Sequence, residues 1–200
     1  MKVNKQYVSE KNTYAGNMSR YIVVHNTDNF AAGADALAHA KAQYNGNLNT
    51  SVHYYTDDKK TVYQTASHNK GCWHVGVNYG GRLFGTVNNK NSIGVEMCVQ
   101  AGYDFNKAFA NTAEFVRQLM AETGIPADRV VQHYDVCAKN CPSQIRKKGL
   151  WDEFKKQIGN LDDVKDNNDS DKPRGSSQKV KPLSGYVKIF YKGKDGLNIR

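Results

Sequence analysis

The run Tyr21-Ile22-Val23-Val24-His25-Asn26 decides the fold. Three consecutive β-branched residues favour a strand, and their unbroken apolar character requires burial. Such a strand delivers the His25 imidazole to the edge of a sheet. Behind it, Phe30 to Tyr44 reads as an Ala-rich helix with Asp28 or Asn29 as its cap. A strand followed by a helix opens an α/β arrangement, and the chain repeats the alternation further on.

Two β-prone runs, Thr50 to Thr56 and Thr61 to Thr65, flank Asp57-Asp58-Lys59-Lys60 and read as a hairpin. From His68 to Asn91 the chain carries Gly71, Gly76, Gly80, Gly81 and Gly85 among Trp73, Tyr79 and Phe84. That composition marks a long loop, functional or mobile. The segment Asn91-Ser92-Ile93-Gly94-Val95-Glu96-Met97-Cys98 reads as a strand. A helix follows from about Asn106 to Thr123, with Phe109, Ala113, Val116 and Met120 at helical spacing and Gly124 ending it. Val130-Val131-Gln132-His133 is a short strand after Pro126, and Leu150, Trp151, Phe154 and Ile158 form a last amphipathic helix that stops at Gly159. Residues 1 to about 20 are polar and irregular and are expected to wrap the edge of the core. The fold class is α/β, a central mixed sheet flanked by helices.

The composition changes after this helix. Residues 160–181 are rich in Asp, Lys, Asn, Ser and Pro and nearly free of large apolar residues, as in a flexible linker. Residues 182–200 alternate again like a strand, in Leu183-Ser184-Gly185-Tyr186-Val187-Lys188-Ile189, but are too few to bury a core. The expected organisation is one domain over 1–159, a linker over 160–181, and the truncated start of another domain over 182–200.

The chemistry sits in His133-Tyr134-Asp135-Val136-Cys137-Ala138-Lys139-Asn140-Cys141-Pro142-Ser143. An imidazole and a thiol of borderline softness suit a zinc ion, and Lys139 adds a nearby cation. His25 is the candidate third ligand. Two His and one Cys leave a fourth tetrahedral position open, the arrangement of a catalytic site with one ion. Cys137 is a rival ligand to Cys141, ranked second because Pro142 holds the residue before it extended. Glu96 lies in the middle of a buried strand, so its carboxylate must be exposed, paired, or set beside a cation, and a place facing zinc-bound water is one such position. Trp73 and His74 are expected to line the cleft, Trp73 offering a face to a sugar or peptide; the other reading of Trp73 is an anchor for the loop. His53 reads as a satisfied histidine facing the sheet interior or the cleft wall, and His39 and His68 as exposed.

The 200-residue chain is 39% hydrophobic, which excludes wholesale disorder. Its formal charge of +9 and pI near 9.3 predict attraction to polyanions, an anionic cell wall among them. No block of five or six like charges and no recognition motif is present, so nucleic acid is not expected as a partner. No stretch is long enough to enter a membrane, and Met1-Lys2-Val3-Asn4-Lys5-Gln6 lacks the apolar region of a secretory signal, so the protein is expected to be made in the cytoplasm. Its four cysteines, Cys72, Cys98, Cys137 and Cys141, do not demand a disulfide framework.

With His25, Glu96, His133, Lys139 and Cys141 in this order, the chain resembles the type 2 N-acetylmuramoyl-L-alanine amidases, zinc peptidoglycan hydrolases related to peptidoglycan recognition proteins. The runs V-V-H-N-T, S-V-H-Y, W-H-V-G, N-S-I-G-V-E and K-N-C-P-S carry the resemblance over residues 20 to 158. The tail G-Y-V-K-I-F…L-N-I-R is similar to the first part of a bacterial SH3-like wall-binding module. The resemblance implies His25, His133 and Cys141 as zinc ligands and Glu96 and Lys139 as catalytic groups. It implies hydrolysis of the amide between N-acetylmuramic acid and L-alanine in bacterial peptidoglycan. The protein is expected to be a monomer. Some members carry a Tyr before the strand His; here that position is Val52, beside His53, which moves proton handling to Glu96. It further implies an endolysin of a phage or prophage, made in the host cytoplasm and acting on the wall after release.

Two rival readings stand beside this one. A non-catalytic peptidoglycan receptor of the same fold would need no metal-ligating thiolate. A cysteine peptidase would use Cys72 or Cys141 as nucleophile with a His as base.

Overall fold

The computed structural model describes residues 1–159. Six strands form the main sheet: β1 (Lys2–Asn4), β3 (Tyr21–Asn26), β4 (Tyr54–Thr56), β5 (Thr61–Gln64), β7 (Ser92–Met97) and β8 (Val130–Gln132), in the order β1-β5-β4-β7-β3-β8. The strands β4, β7, β3 and β8 run parallel, β5 is antiparallel to β4, and β1 lies parallel to β5. The sheet is therefore mixed, with helices packed against it, as the alternation of elements requires. A second, two-stranded ribbon pairs β2 (Thr13–Ala15) with β6 (Lys70–Cys72).

The alternation of side chains along β3 and β7 divides the molecule into two layers. Ile22 and Val24 of β3, with Ile93, Val95 and Met97 of β7, face one way. They pack with Phe115, Val116 and Leu119 of α2 (Phe105–Thr123) and with Phe154 and Ile158 of α5 (Trp151–Gly159). This is the main core, and it is closed to water: Phe115, Leu119, Phe154 and Ile158 have no exposed surface. The opposite face carries Tyr21, Val23 and His25 on β3, in register with Ser92, Gly94 and Glu96 on β7. On the β4 and β5 side of the sheet α1 (Ala36–Asn45) packs through Ala36 and Ala40 against Val52 and Tyr55.

Several local expectations are corrected. The first helix begins at Ala36, capped by Asp35, whose side chain accepts from the Ala38 amide at 2.9 Å. Gly33 at φ 77° and Asp28 at φ 49° place the preceding residues outside the helical region. The N-terminal twenty residues are not irregular throughout, since β1 and β2 lie within them. The loop from 68 to 91 contains β6, and Gly71 is needed there because a Cβ would stand 2.3 Å from the Tyr14 ring. The remainder of that loop is tied to α3 (His133–Cys137): Tyr79 donates to the Cys137 carbonyl at 2.9 Å and Leu83 to that of Asp135 at 2.9 Å. Gly81 permits this approach, as a Cβ would meet the Val136 carbonyl oxygen at 2.1 Å. A further short helix, α4 (Ser143–Lys147), follows Cys141. Among the described residues no helix is long and apolar enough to cross a membrane. The expected linker over 160–181 and the domain start expected over 182–200 fall on residues outside those described.

Candidate metal centre and cleft

The parallel strands bring their carboxyl ends to one edge, and the site is built there. His25 is the fifth residue of β3, and Glu96 is its register partner on β7. On the other side of β3, β8 ends at Gln132, so His133 emerges next to His25 as the first residue of α3. That turn is fixed by a reciprocal cap, with the Gln132 amide donating to Asp135 Oδ2 at 3.0 Å. Ala138, left-handed at φ 59°, ends α3 and turns the chain back toward β3. Cys141 then returns: its carbonyl accepts from the Tyr134 amide at 2.8 Å, and its sulfur accepts from the Asn26 amide at 3.4 Å.

The result is a cluster of three buried side chains, His25, His133 and Cys141, whose ligand atoms all lie within 4.8 Å of one another. The Nδ1 atoms of His25 and His133 are 3.0 Å apart, and Cys141 Sγ is 3.8 Å from His25 Nδ1. Zinc bonds of about 2.0–2.1 Å to nitrogen and 2.3 Å to sulfur separate tetrahedral donors by roughly 3.3–3.6 Å, so this donor set fits that ion. Burial holds His25 well below the ordinary histidine range, aided by His133 and His74, and lowers His133 to about 4, aided by Lys139. Both rings are therefore uncharged at neutral pH, the form that ligates. Burial, with Glu96 nearby, pushes the Cys141 thiol up, while the Asn26 amide and Lys139 oppose it. A cation is what would turn this sulfur into a thiolate.

Glu96 is half-buried, and its Oε2 is shut off from solvent without a hydrogen-bond partner. Burial raises its carboxyl to about 8, against the pull of Lys139, with Asp28 adding to the rise. Lys139 itself is exposed on the rim. It lines a cavity of about 270 Å³ together with Trp73, His74, Val77, Tyr79 and His133. Trp73 is half-exposed and its ring leans on Tyr14, 4.7 Å between centroids, so it combines a cleft face with an anchoring contact. His74 lies deeper: its Nδ1 stands 3.1 Å from His25 Nε2. Sequence reasoning set His74 apart from the metal site and missed Ser92 and Asn89 altogether, whose side chains contact it.

The other sulfurs and imidazoles resolve differently. Cys137 is buried among Val23, Val75 and Val136 and is absent from the ligand cluster. Cys72 has no exposed surface, and burial pushes its thiol to about 12, which removes it as a nucleophile. Nor is a base at hand, because His53 Nε2, 3.7 Å from that sulfur, meets the Lys70 carbonyl at 2.9 Å while His53 Nδ1 accepts from the Gly94 amide. His53 is thus a satisfied interior histidine. His39 and His68 are half-buried instead of exposed: His39 meets the Asp35 carbonyl at 2.9 Å, and His68 meets the Tyr54 hydroxyl at 2.6 Å.

A mixed α/β sheet carries at its carboxyl edge a buried His-His-Cys cluster that could hold a metal ion, with the half-buried Glu96 carboxyl on the neighbouring strand and a cavity that His133 lines. Residues 15–144 match the sequence family described as N-acetylmuramoyl-L-alanine amidase, and the chain belongs to that family. The amidase CwlH of Bacillus subtilis strain 168 is 37% identical over 180 residues, 90% of this chain and 65% of its own length. XlyA of the same strain is 42% identical over 139 residues, 70% of this chain and 44% of its own. The chain thus spans less than two thirds of each of these relatives. The catalytic domain of XlyA superposes on 80% of this chain and 100% of its own at a TM-score of 0.67 and 36% identity. PlyL superposes on 80% and 100% at 0.68 and 29%.

Proposed function

We propose that this protein hydrolyses the amide between N-acetylmuramic acid and L-alanine in bacterial peptidoglycan, using one zinc ion held by His25, His133 and Cys141. The observation that carries the reading is the convergence of these three buried ligand atoms beside the Glu96 carboxyl at one end of the cleft. Family membership supports the bond and the substrate.

When bound, zinc supplies a Lewis acid for the amide carbonyl and makes a nucleophile available from water at neutral pH. Glu96 takes the proton released as the oxygen adds to the carbonyl carbon. As the carbon–nitrogen bond breaks, Glu96 returns that proton to the L-alanine nitrogen, and the second water proton leaves the new lactyl carboxyl for solvent, giving a lactyl carboxylate and a free amine. A carboxyl held near neutrality by burial against the pull of Lys139 can move a proton in both directions. Lys139, at the rim, offsets the negative charge that develops on the carbonyl oxygen. Trp73 presents its exposed ring, and His74 its edge, along the cavity wall where a sugar or stem peptide lies.

The protein acts as an endolysin: it is made in the cytoplasm of a phage or prophage host and reaches the wall after release. Its net charge of +9 favours adhesion to an anionic wall, and the run Gly185-Tyr186-Val187-Lys188-Ile189-Phe190 is similar in sequence to part of a bacterial SH3-like wall-binding module. Digestion of defined peptidoglycan followed by mass analysis tests the reaction. Fragments with a new free amine on L-alanine, lost with a chelator and restored by zinc, are expected; cleavage of another bond, or wall binding without cleavage, overturns it.

A further inference from the structure

His25 offers the metal its Nδ1, and the other nitrogen of the same ring is engaged. Its Nε2 stands 3.1 Å from His74 Nδ1. The Nε2 of His74 stands 3.2 Å from Ser92 Oγ, and that hydroxyl donates to the Asn88 carbonyl at 2.6 Å. A carbonyl oxygen only accepts, so the single serine proton is committed to it. Ser92 Oγ must then accept from His74 Nε2–H. His74 is buried, and among the described residues its ring nitrogens meet only His25 and Ser92, with no carboxylate to pair with a charge; a ring so placed is neutral, and with its proton on Nε2 its Nδ1 has only a lone pair. That lone pair accepts from His25 Nε2–H. The proton of His25 is thereby fixed on Nε2, and its Nδ1 lone pair points at His133 and Cys141. Reversing every bond would put a proton on His25 Nδ1, 3.0 Å from His133 Nδ1, where it blocks ligation.

We propose that His74 and Ser92 are positioning residues for the metal centre, a relay from the Asn88 carbonyl that sets the tautomer and orientation of the ligand His25. The inference rests on the zinc reading above. The relay is built into the fold, because Ser92 and Gly94 occupy the same face of β7 as Glu96 and form the floor on which His74 lies. Gly94 makes room for it: a Cβ there would stand 3.0–3.2 Å from three atoms of the His74 ring. Asn89 Oδ1 accepts from the amides of His74 and Val75 at 3.1 and 2.8 Å and so pins the backbone that carries the ring. A hydrogen-bond partner on the outer nitrogen of a metal-bound histidine fixes the ring and raises its basicity, and removing such partners weakens metal binding by roughly 10–100-fold.

The zinc-loaded protein, with its histidines labelled with nitrogen-15, reports the relay directly. Protons are expected on His25 Nε2 and His74 Nε2, with a nitrogen–nitrogen coupling across the bond from His25 to His74 Nδ1. A proton on His74 Nδ1 overturns the relay even if zinc is bound. Zinc affinity, read by competition with a chelating dye, is expected to fall by roughly 10–100-fold in His74→Phe. His74→Asn, whose side-chain oxygen can take the place of Nδ1, is expected to restore it to within a few-fold. At Ser92, substitutions of equal volume separate the hydroxyl from packing: Ser92→Thr keeps the His74 proton on Nε2, and Ser92→Val does not. Unchanged zinc affinity in His74→Phe refutes the proposal while leaving the metal centre intact. Failure of the unaltered protein to take up zinc refutes both.

Discussion

Replacing Glu96 by Gln should separate function from folding, because the two effects have opposite sign. The side chain keeps its shape and loses its ability to exchange a proton. If Glu96 serves as the proton carrier, kcat falls by roughly 10²–10⁴-fold, which corresponds to about 3–5 kcal/mol of transition-state stabilisation. Stability moves the other way. Burial raises the Glu96 carboxyl from 4.5 to about 8, and its Oε2 has no partner that the amide would lose. The folded protein therefore holds this proton more tightly than the unfolded chain between those two values, and its stability declines as pH rises through them. Above pH 8 the charged carboxylate costs up to roughly 5 kcal/mol in the absence of metal. Glu96→Gln removes that cost, so chelator-treated variant and parent should melt together below pH 4.5 and diverge in favour of the variant toward pH 8. Turnover on purified wall and thermal melts across this range are the assays. Activity within tenfold of the parent, or a variant less stable than the parent at pH 8, would refute the assignment of Glu96 as a buried, unpaired proton carrier.

Cys141→Asp retains a ligand suited to zinc and is expected to keep measurable metal and activity, whereas Cys141→Ala loses both; a metal assay beside the turnover assay distinguishes them. Lys139→Ala should lower kcat by roughly 10²–10³-fold with little effect on the melting temperature, since Lys139 is an exposed rim residue whose proposed role is charge stabilisation. Gly81→Ala places a Cβ 2.1 Å from the Val136 carbonyl oxygen and should destabilise the fold by roughly 1–3 kcal/mol, measured by denaturant titration, as the loop is pushed off α3. Wall lysis at fixed pH should weaken as salt rises from low ionic strength, because the attraction of a +9 chain for an anionic wall is screened.

The parts of the fold that show in the sequence are those with enough residues to display a period or an unbroken apolar run. β3 and β7 follow from Ile22-Val23-Val24 and Ile93 to Met97, and α2 from the spacing of Phe109, Ala113, Val116 and Met120. The start of α1 does not, because Ala31, Ala32 and Ala34 have helical composition while Gly33 takes a left-handed conformation and Asp35 supplies the cap. Five-residue helices such as α3 are shorter than any periodic window; the sign available was Gln132 and Asp135 at capping-box spacing. β6 pairs with β2 across more than fifty residues, and its Lys70-Gly71-Cys72 carries no strand pattern. At the site, the three proposed ligands were legible as strand-end or loop residues of the right chemistry. The approach of His74 to His25 was not, since it links positions 49 residues apart in the chain through a contact that only the sheet creates.

X-ray absorption at the zinc edge of the purified protein tests the metal centre most directly. A shell of two nitrogens at about 2.0–2.1 Å, one sulfur at about 2.3 Å and one further light atom is the predicted result, with the sulfur shell lost in Cys141→Asp. A zinc spectrum without sulfur in the unaltered protein, or no stoichiometric zinc at all, would contradict it.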